Sequence, residues 1–403
     1  MSIIVRREIL EEFLKSGGRR LLYGRRKTGK TFYARHVLKD YNYFIVRRGG
    51  LFYDPLEDLS LSVREFIRLC GRENRIIVDE FHRAPPRFFD AIQAGECGGE
   101  VVFITSTLHY HRKLVEGADA PLKGLFTSHR VGLVSPVDLL RHEWGVEPGK
   151  ELFELLVFYQ EPVLIGRRLT DIVMGGKEMA QSLVGEVLGE EDQVFTERFN
   201  AILEAVAAGK TRLTEIASYL YSRGLLPRQS TSLITKYIDI MVKIGLLERI
   251  PVWGKKRKHV YRHVSPLTSL QYYLHTRYGH FDLQLPWSFL EKAVAQRKPL
   301  LIERFVERLL AEMWGLKPVK IMEPEEIDIA LVEYKKLKIV GEVKWRNKLT
   351  RSEIKRIESK LHRYPEAEKI LIVPDETIVP ETSLKILDAK KMIELSRGSP
   401  VLR

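Results

Sequence analysis

A chain of 403 residues is too long for one ordinary core and predicts several domains. With 44% hydrophobic and 30% charged residues it has the composition of a globular protein in water, and no apolar run reaches the roughly 18 residues of a membrane span. The N-terminus lacks a secretory pattern and the two cysteines form no CxxC, so a cytoplasmic location with no disulfide framework and no zinc site is expected, while the net charge of +13 points to a polyanionic partner.

Residues 1–135 alternate short apolar strands with helical patterns, which predicts βαβ units and a parallel sheet. The expected strands are Arg19–Tyr23, Tyr43–Val46, Arg75–Val78, Val101–Thr105 and His129–Leu133. The first runs into Gly24-Arg25-Arg26-Lys27-Thr28-Gly29-Lys30-Thr31, a complete GxxxxGK[ST] phosphate loop. Its glycines let backbone N–H groups turn toward phosphate oxygens, and the following helix adds its N-terminal dipole. Lys30 is expected to contact the β- and γ-phosphates of ATP, and Thr31 to ligate Mg²⁺.

Arg75-Ile-Ile-Val-Asp79-Glu80 is the acidic partner of such a loop. Asp79 is assigned to the Mg²⁺ shell and Glu80 to polarising the attacking water. Thr105-Ser106-Thr107 ends another strand where a γ-phosphate sensor would sit, with capping of the next element as the competing reading. Arg130 reads either as an arginine finger or as a surface cation, and His109 and His111 read as loop residues.

Residues 136–194 are expected to form a helical lid, interrupted at Gly175-Gly176. Residues 195–266 read as three helices and a hairpin resembling a winged helix. Twelve Lys/Arg face three acids between 209 and 263, a balance of +9, so most of the chain's excess charge lies there. Ser230–Ile244 would be the recognition helix, buried through Ile234, Ile238, Met241 and, just beyond it, Leu246. Arg228, Lys236, Lys243 and the hairpin tip Lys255-Lys256-Arg257-Lys258 are the expected DNA-binding residues. Residues 267–299, rich in aromatics and prolines, read as a connector.

Residues 300–403 follow a helix, two strands, helix, strand pattern. A hairpin turning on Lys335 would set Asp328 opposite Glu342, with Lys344 on the same face. Such a pair suits one divalent cation, with the lysine placed to stabilise negative charge. Glu303, or alternatively Glu307, on the preceding helix Leu301–Trp314 would complete the set.

The Asp328…Glu342-Val-Lys344 arrangement resembles the PD-(D/E)xK nuclease superfamily. With Gly24–Thr31, Ile76–Glu80 and His129-Arg130-Val131-Gly132-Leu133, the whole chain resembles the archaeal ATPases of the AAA+/STAND group, in which a nuclease-like domain follows a winged helix. The resemblance implies an α/β fold: a P-loop parallel sheet with a helical lid, a winged helix and a restriction-endonuclease-like C-terminal domain. It suggests Arg130 as a nucleotide-sensing arginine, while the loop, the acidic strand and the basic segment give ATP, ADP and DNA as the expected partners and Mg²⁺ as the cofactor. Besides a metal-dependent DNase regulated by ATP, two readings stay open. One is an ATPase acting on or regulated by DNA. The other is a nucleotide-gated switch, closed or self-associated with ATP, whose nuclease-like domain is inactive.

Overall fold

The structure is a computed structural model that describes residues 3–71, 75–106, 114–115, 120–190 and 196–398. It divides into two compact units. The N-terminal unit comprises Arg7–Leu133 and Leu183–Val194, and the C-terminal unit comprises Met1–Arg6, Val134–Ser182 and Phe195–Arg403.

In the N-terminal unit the described elements run α1 (Glu8–Lys15), β1 (Arg19–Tyr23), α2 (Lys30–Val37), β2 (Asn42–Val46), β3 (Phe52–Asp54), β4 (Leu59–Leu61), α3 (Val63–Cys70), β5 (Arg75–Asp79), α4 (Pro86–Gln93), β6 (Glu100–Thr105) and β7 (Thr127–Arg130). The sheet order is β4-β3-β2-β5-β6-β1-β7. From β2 to β7 every neighbouring pair is parallel; β3 alone runs against them, and β4, antiparallel to β3, points the same way as β2. Ile76, Ile77 and Val78 of β5 and Val101 to Ile104 of β6 are wholly buried, as expected of strands covered on both faces. Phe52, Phe66, Phe88 and Phe103 fill one side, with the Phe52 and Phe66 rings stacked at 3.9 Å. The strand expected at His129–Leu133 instead spans Thr127–Arg130, although the Val131 N–H still bonds the Tyr23 carbonyl at 2.7 Å. The ladder to β1 sets the ends of β7, whereas the apolar content of Val131 and Leu133 reflects burial past the strand.

In the C-terminal unit, α5 (Pro136–Arg141), α6 (Lys150–Tyr159) and α7 (Leu169–Met174) precede α8 (Gly176–Glu190), whose later residues from Leu183 belong to the N-terminal unit. The Gly175-Gly176 interruption separates α7 from α8 as expected. Then follow α9 (Glu197–Ala207), α10 (Leu213–Ser222), α11 (Ser232–Lys243) and the antiparallel hairpin β8 (Leu247–Pro251) and β9 (His259–His263). Ile234, Ile238, Met241 and Leu246 are buried, the stripe read from their spacing.

Residues 266–299 form no connector. They make α12 (Pro266–Tyr278) and the first half of α13 (Trp287–Trp314). Pro266 is the first residue of α12, where a missing N–H costs nothing, and Ser265 caps it by accepting from the Thr268 N–H. Pro299 lies inside α13, a position that destabilises a helix by about 3 kcal/mol. Burial on both sides of it, through Leu290, Ala293 and Val294 before and Leu301, Ile302 and Phe305 after, offsets that cost. These residues join Phe153 and Trp345 in one core.

The last elements are β10 (Lys317–Pro318), β11 (Ile329–Glu333), β12 (Lys336–Val343), α14 (Arg351–Leu361), β13 (Glu368–Ile372), β14 (Lys385–Leu387) and α15 (Ala389–Gly398), with sheet order β10-β11-β12-β13-β14. Among the described residues no helix is long and apolar enough to cross a membrane.

Cys70 and Cys97 form a buried disulfide between the end of α3 and the turn before β6, with Cα atoms 5.0 Å apart. Their separation of 27 residues gives no sign of this pairing; the sheet order brings them together. Closing a loop of that length restricts the unfolded chain by about 3.5 kcal/mol on the loop-entropy account. Thiol reduction, or the Cys70→Ala/Cys97→Ala pair, is therefore expected to lower unfolding stability by about that amount in denaturant titration. Equal midpoints for oxidised and reduced protein would contradict it.

Candidate functional site

The phosphate loop leaves the end of β1 in a conformation that depends on its glycines. Gly24 has φ 140°, and a Cβ there would lie 2.3 Å from the Val131 carbonyl oxygen. Gly29, at φ 79°, turns the chain into α2, and Lys27 also adopts a positive φ of 62°. The Lys30 ammonium is buried and donates to the carbonyls of Gly24 at 2.7 Å and Arg25 at 2.8 Å, which folds the loop around its charge. The Thr28 hydroxyl closes the turn onto the Arg25 carbonyl at 3.0 Å.

Asp79 meets this loop from β5. The Thr31 hydroxyl donates to Asp79 Oδ2 at 2.6 Å, the Tyr43 hydroxyl to the same oxygen at 2.9 Å, and the Glu80 N–H to Oδ1 at 2.8 Å. Burial raises the Asp79 carboxyl above its usual range, and the bonds from Thr31, Glu80 and Tyr43 oppose that rise. The adjacent Thr31 hydroxyl and Asp79 carboxylate are hard oxygen donors beside a cationic loop, so they fit a magnesium–nucleotide complex.

Glu80 has a positive φ of 53°, and its carboxylate lies 3.0 Å from Arg83, 3.5 Å from His82 Nε2 and 3.8 Å from Arg26. His82 Nδ1 in turn lies 3.1 Å from the Thr105 hydroxyl, which links the ends of β5 and β6. Arg130 is exposed at the end of β7, directly paired with Tyr23, the residue before the loop. Thr107, His109 and His111 lie outside the described residues.

Three residues to which the sequence reading gave no role in the site shape it. Arg7 donates to the carbonyls of Thr28, Gly132 and Leu133 at 2.9, 3.0 and 3.2 Å, and so joins the loop to the segment after β7. Tyr43 and His82 contact Asp79 and Glu80 as described. His82 carries a weak sequence signal, since it follows Asp79-Glu80 within one turn. Arg7 and Tyr43 carry none, because only the fold brings them near. Lys27 pairs with Glu186 of α8 at 3.1 Å, within the same unit.

The C-terminal carboxylates come together in part. Asp328 Oδ2 accepts from the Val343 N–H at 2.9 Å and lies 3.4 Å from the Lys344 ammonium, which also donates to Glu342 at 2.6 Å. Lys360 of α14 holds the other oxygen of Glu342. Although burial disfavours its charge, Lys344 is held above its ordinary pKa by Asp328 and Glu342. Glu303 pairs instead with Lys320 at 3.0 Å; burial pushes its carboxyl up to about 7, against the opposing pull of Lys320. Glu307 belongs to Arg262, 2.5 Å away. Among the described residues no three His, Cys, Asp or Glu side chains converge as metal ligands. Asp328 and Glu342 thus share Lys344 in one ion cluster, while Glu303 and Glu307 are each paired with a different cation, Lys320 and Arg262.

The expected DNA-binding cations, Arg228, Lys236, Lys243, Lys255, Lys256, Arg257 and Lys258, are all exposed. The hairpin tip is anchored on one side, with Lys255 3.0 Å from Glu323 and the Trp253 N–H bonded to the Lys320 carbonyl at 2.9 Å.

No family model and no curated protein matches the chain. Among solved structures it is similar to a Walker-type ATPase of Pyrococcus abyssi, at 18% identity and TM-score 0.46 over 67% of this chain and 96% of that one. It is also similar to the Aeropyrum pernix ORC1 protein, solved in complex with DNA, at 16% identity and TM-score 0.30 over 70% and 96% of the two chains. A third likeness is a signal transduction ATPase with numerous domains and a tetratricopeptide repeat sensor from Pyrococcus horikoshii, at 15% identity and TM-score 0.29 over 76% and 48%. Likenesses of this extent assign no role to any residue.

Burial, reinforced by Arg83, lowers the His82 pKa from 6.5 to about 4. Between those values the unfolded chain binds the proton more readily than the folded one. Stability is therefore complete above pH 6.5 and falls as pH drops toward 4, by roughly 3 kcal/mol from this residue. Denaturant titrations across that window should show a steeper slope for the wild type than for His82→Gln. Parallel pH profiles would mean that His82 titrates freely in the folded state.

Proposed function

We propose that the chain binds and hydrolyses ATP with Mg²⁺ at the Gly24–Thr31 loop and that this hydrolysis serves an action on, or regulated by, DNA. The observation that carries the nucleotide reading is the Thr31–Asp79 contact of 2.6 Å beside a lysine already folded into the loop. In this reading Arg25, Arg26, Lys27, Thr28 and Gly29 line the phosphates, with their backbone N–H groups cradling the oxygens. Lys30 exchanges its carbonyl partners for the β- and γ-phosphates, and Thr31 and Asp79 hold the Mg²⁺ shell. Glu80 orients the attacking water, with Thr105 coupled to it through His82 and Arg130 available from β7 to stabilise developing charge. The bound ion would supply neutralisation of the phosphate oxygens.

The DNA reading rests on the exposed cations of α11 and the hairpin tip. The α9–α10–α11–β8–β9 order supports a winged helix. The C-terminal sheet supports a nuclease-like fold, and its lysine-clamped carboxylates favour a binding platform over a cleavage centre.

Lys30→Ala is expected to reduce ATP hydrolysis at least a hundredfold while circular dichroism stays unchanged; hydrolysis at the wild-type rate in a purified sample would sink the nucleotide assignment. Single-turnover hydrolysis with and without duplex DNA separates the two open readings, since DNA-stimulated turnover fits an ATPase working on DNA and slow, indifferent turnover fits a nucleotide-gated switch. Neutralising Lys255, Lys256, Arg257 and Lys258 together should weaken duplex binding and flatten its salt dependence by about 0.9 per lost phosphate contact. A salt slope that does not move would remove the hairpin tip from the DNA interface.

A further inference from the structure

The C-terminal unit contains a cationic cavity unrelated to the phosphate loop or to the Asp328 cluster. It measures about 370 Å³ and lies among β8, β9 and the face of α13 that carries Arg304, Arg308 and Glu312. Those three residues are spaced four apart, so one side of the helix presents them together. Three guanidinium groups, Arg262, Arg304 and Arg308, line the cavity against two carboxylates, Glu248 and Glu312.

The charges are not evenly matched. Arg262 is gripped by Glu248 and Glu307, both at 2.5 Å, and Arg308 pairs with Glu312 at 2.9 Å. Arg304 has no carboxylate within ion-pairing distance among the described residues. Its Nη1 donates to the buried Ser269 hydroxyl at 3.3 Å. Arg297, two helical turns earlier, donates to that same oxygen at 3.1 Å and lies 4.8 Å from the Tyr273 ring centroid. It has no carboxylate partner among the described residues, and its buried Nε–H has no acceptor. Two guanidinium groups thus share one neutral oxygen. Burial, together with the Arg297 and Arg262 charges, pushes Arg304 down to about 9, so it remains a cation at neutral pH. Burying a charge beside like charges is costly unless an anion completes the arrangement.

We propose that this cavity is a binding site for a phosphate monoester, held by the free donors of Arg304 together with those of Arg308 and Arg262. The planar forks of arginine suit a phosphate, whose several oxygens can accept from more than one guanidinium at once. The volume falls in the range of small-molecule sites. The monoester could belong to a free metabolite or to the 5′ end of a nucleic-acid strand, which present the same group.

Calorimetric titration with ribose 5-phosphate, and with a 5′-phosphorylated oligonucleotide beside its 5′-hydroxyl counterpart, tests the assignment. The titrations use the full chain as wild type, Lys30→Ala, Arg304→Gln and Arg308→Gln. The site requires that phosphate-dependent binding survive Lys30→Ala and weaken at least tenfold in Arg304→Gln. Arg308→Gln provides the same readout should Arg304→Gln fail to fold. Binding of ribose 5-phosphate assigns a free metabolite, and an Arg304-dependent preference for the 5′-phosphorylated strand assigns a strand end. Binding that is lost in Lys30→Ala and untouched by both arginine changes would overturn the proposal, as would no phosphate-dependent binding to any form. Because the phosphate loop is disabled separately, failure here leaves the ATPase reading standing, and the reverse also holds.

Discussion

The Asp79 carboxylate is the point on which the Gly24–Thr31 loop turns. It is nearly buried, and such a group is tolerated only when its oxygens are satisfied. Thr31 at the start of α2, Tyr43 of β2 and the backbone of Glu80 each donate to it. One carboxylate therefore fixes the helix that follows the loop relative to two strands. From the other side Gly24 presses against the Val131 carbonyl, and Arg7 reaches from before α1 to the Thr28 carbonyl. The loop is held by β5, by the exit of β7 and by the entry to α1. A loop that gathers Arg25, Arg26, Lys27 and Lys30 can keep these like charges close together only with restraint of this kind.

Much of that site was legible in the sequence because its parts are local. The loop is eight consecutive residues, and the strands at Arg19–Tyr23 and Arg75–Asp79 are short apolar runs bounded by polar turns. Arg7, Tyr43 and Glu186 were not legible. Each reaches the site through space from an element whose own pattern speaks only of packing. The disulfide was hidden for the same reason. The 267–299 segment failed differently. Its prolines look like chain breakers, yet Pro266 starts a helix, Pro286 precedes one, and Pro299 is carried inside α13 by the core on either side. Tertiary burial overrode a correct statement about local propensity.

The C-terminal hairpin reached the expected register by another route. Its turn is Tyr334-Lys335, both with positive φ as a two-residue hairpin turn requires, and not a turn centred on Lys335 alone. Continued without irregularity, the pairing of Glu333 with Lys336 would set Asp328 beside Gly341. A register shift between Leu331 and Val332 moves the ladder by one residue, so that Ile329 pairs with Gly341 and Asp328 comes level with Glu342. A slip of one residue inverts the faces of a strand, so this irregularity decides whether Asp328 and Lys344 share an ion cluster at all.

Lys320 extends the consequence beyond that cluster. Its backbone accepts from Trp253 and donates to Pro251, both at 2.9 Å, so the basic hairpin β8–β9 is tied at its outer end to the C-terminal sheet. Its side chain lies 3.0 Å from Glu303 and 2.9 Å from Glu326. The same residue sets the position of the hairpin tip and supplies the positive charge that Glu303 needs in its buried setting. A force that shifts the tip, such as phosphates drawing on Lys255 to Lys258, acts on a backbone whose side chain neutralises the acids beside Asp328. Removing that neutralisation would expose a carboxylate whose pKa already stands near 7 to its full burial cost. The anchoring of the hairpin, through the Lys320 backbone, and the charge that faces Glu303, through the Lys320 side chain, therefore meet in one residue.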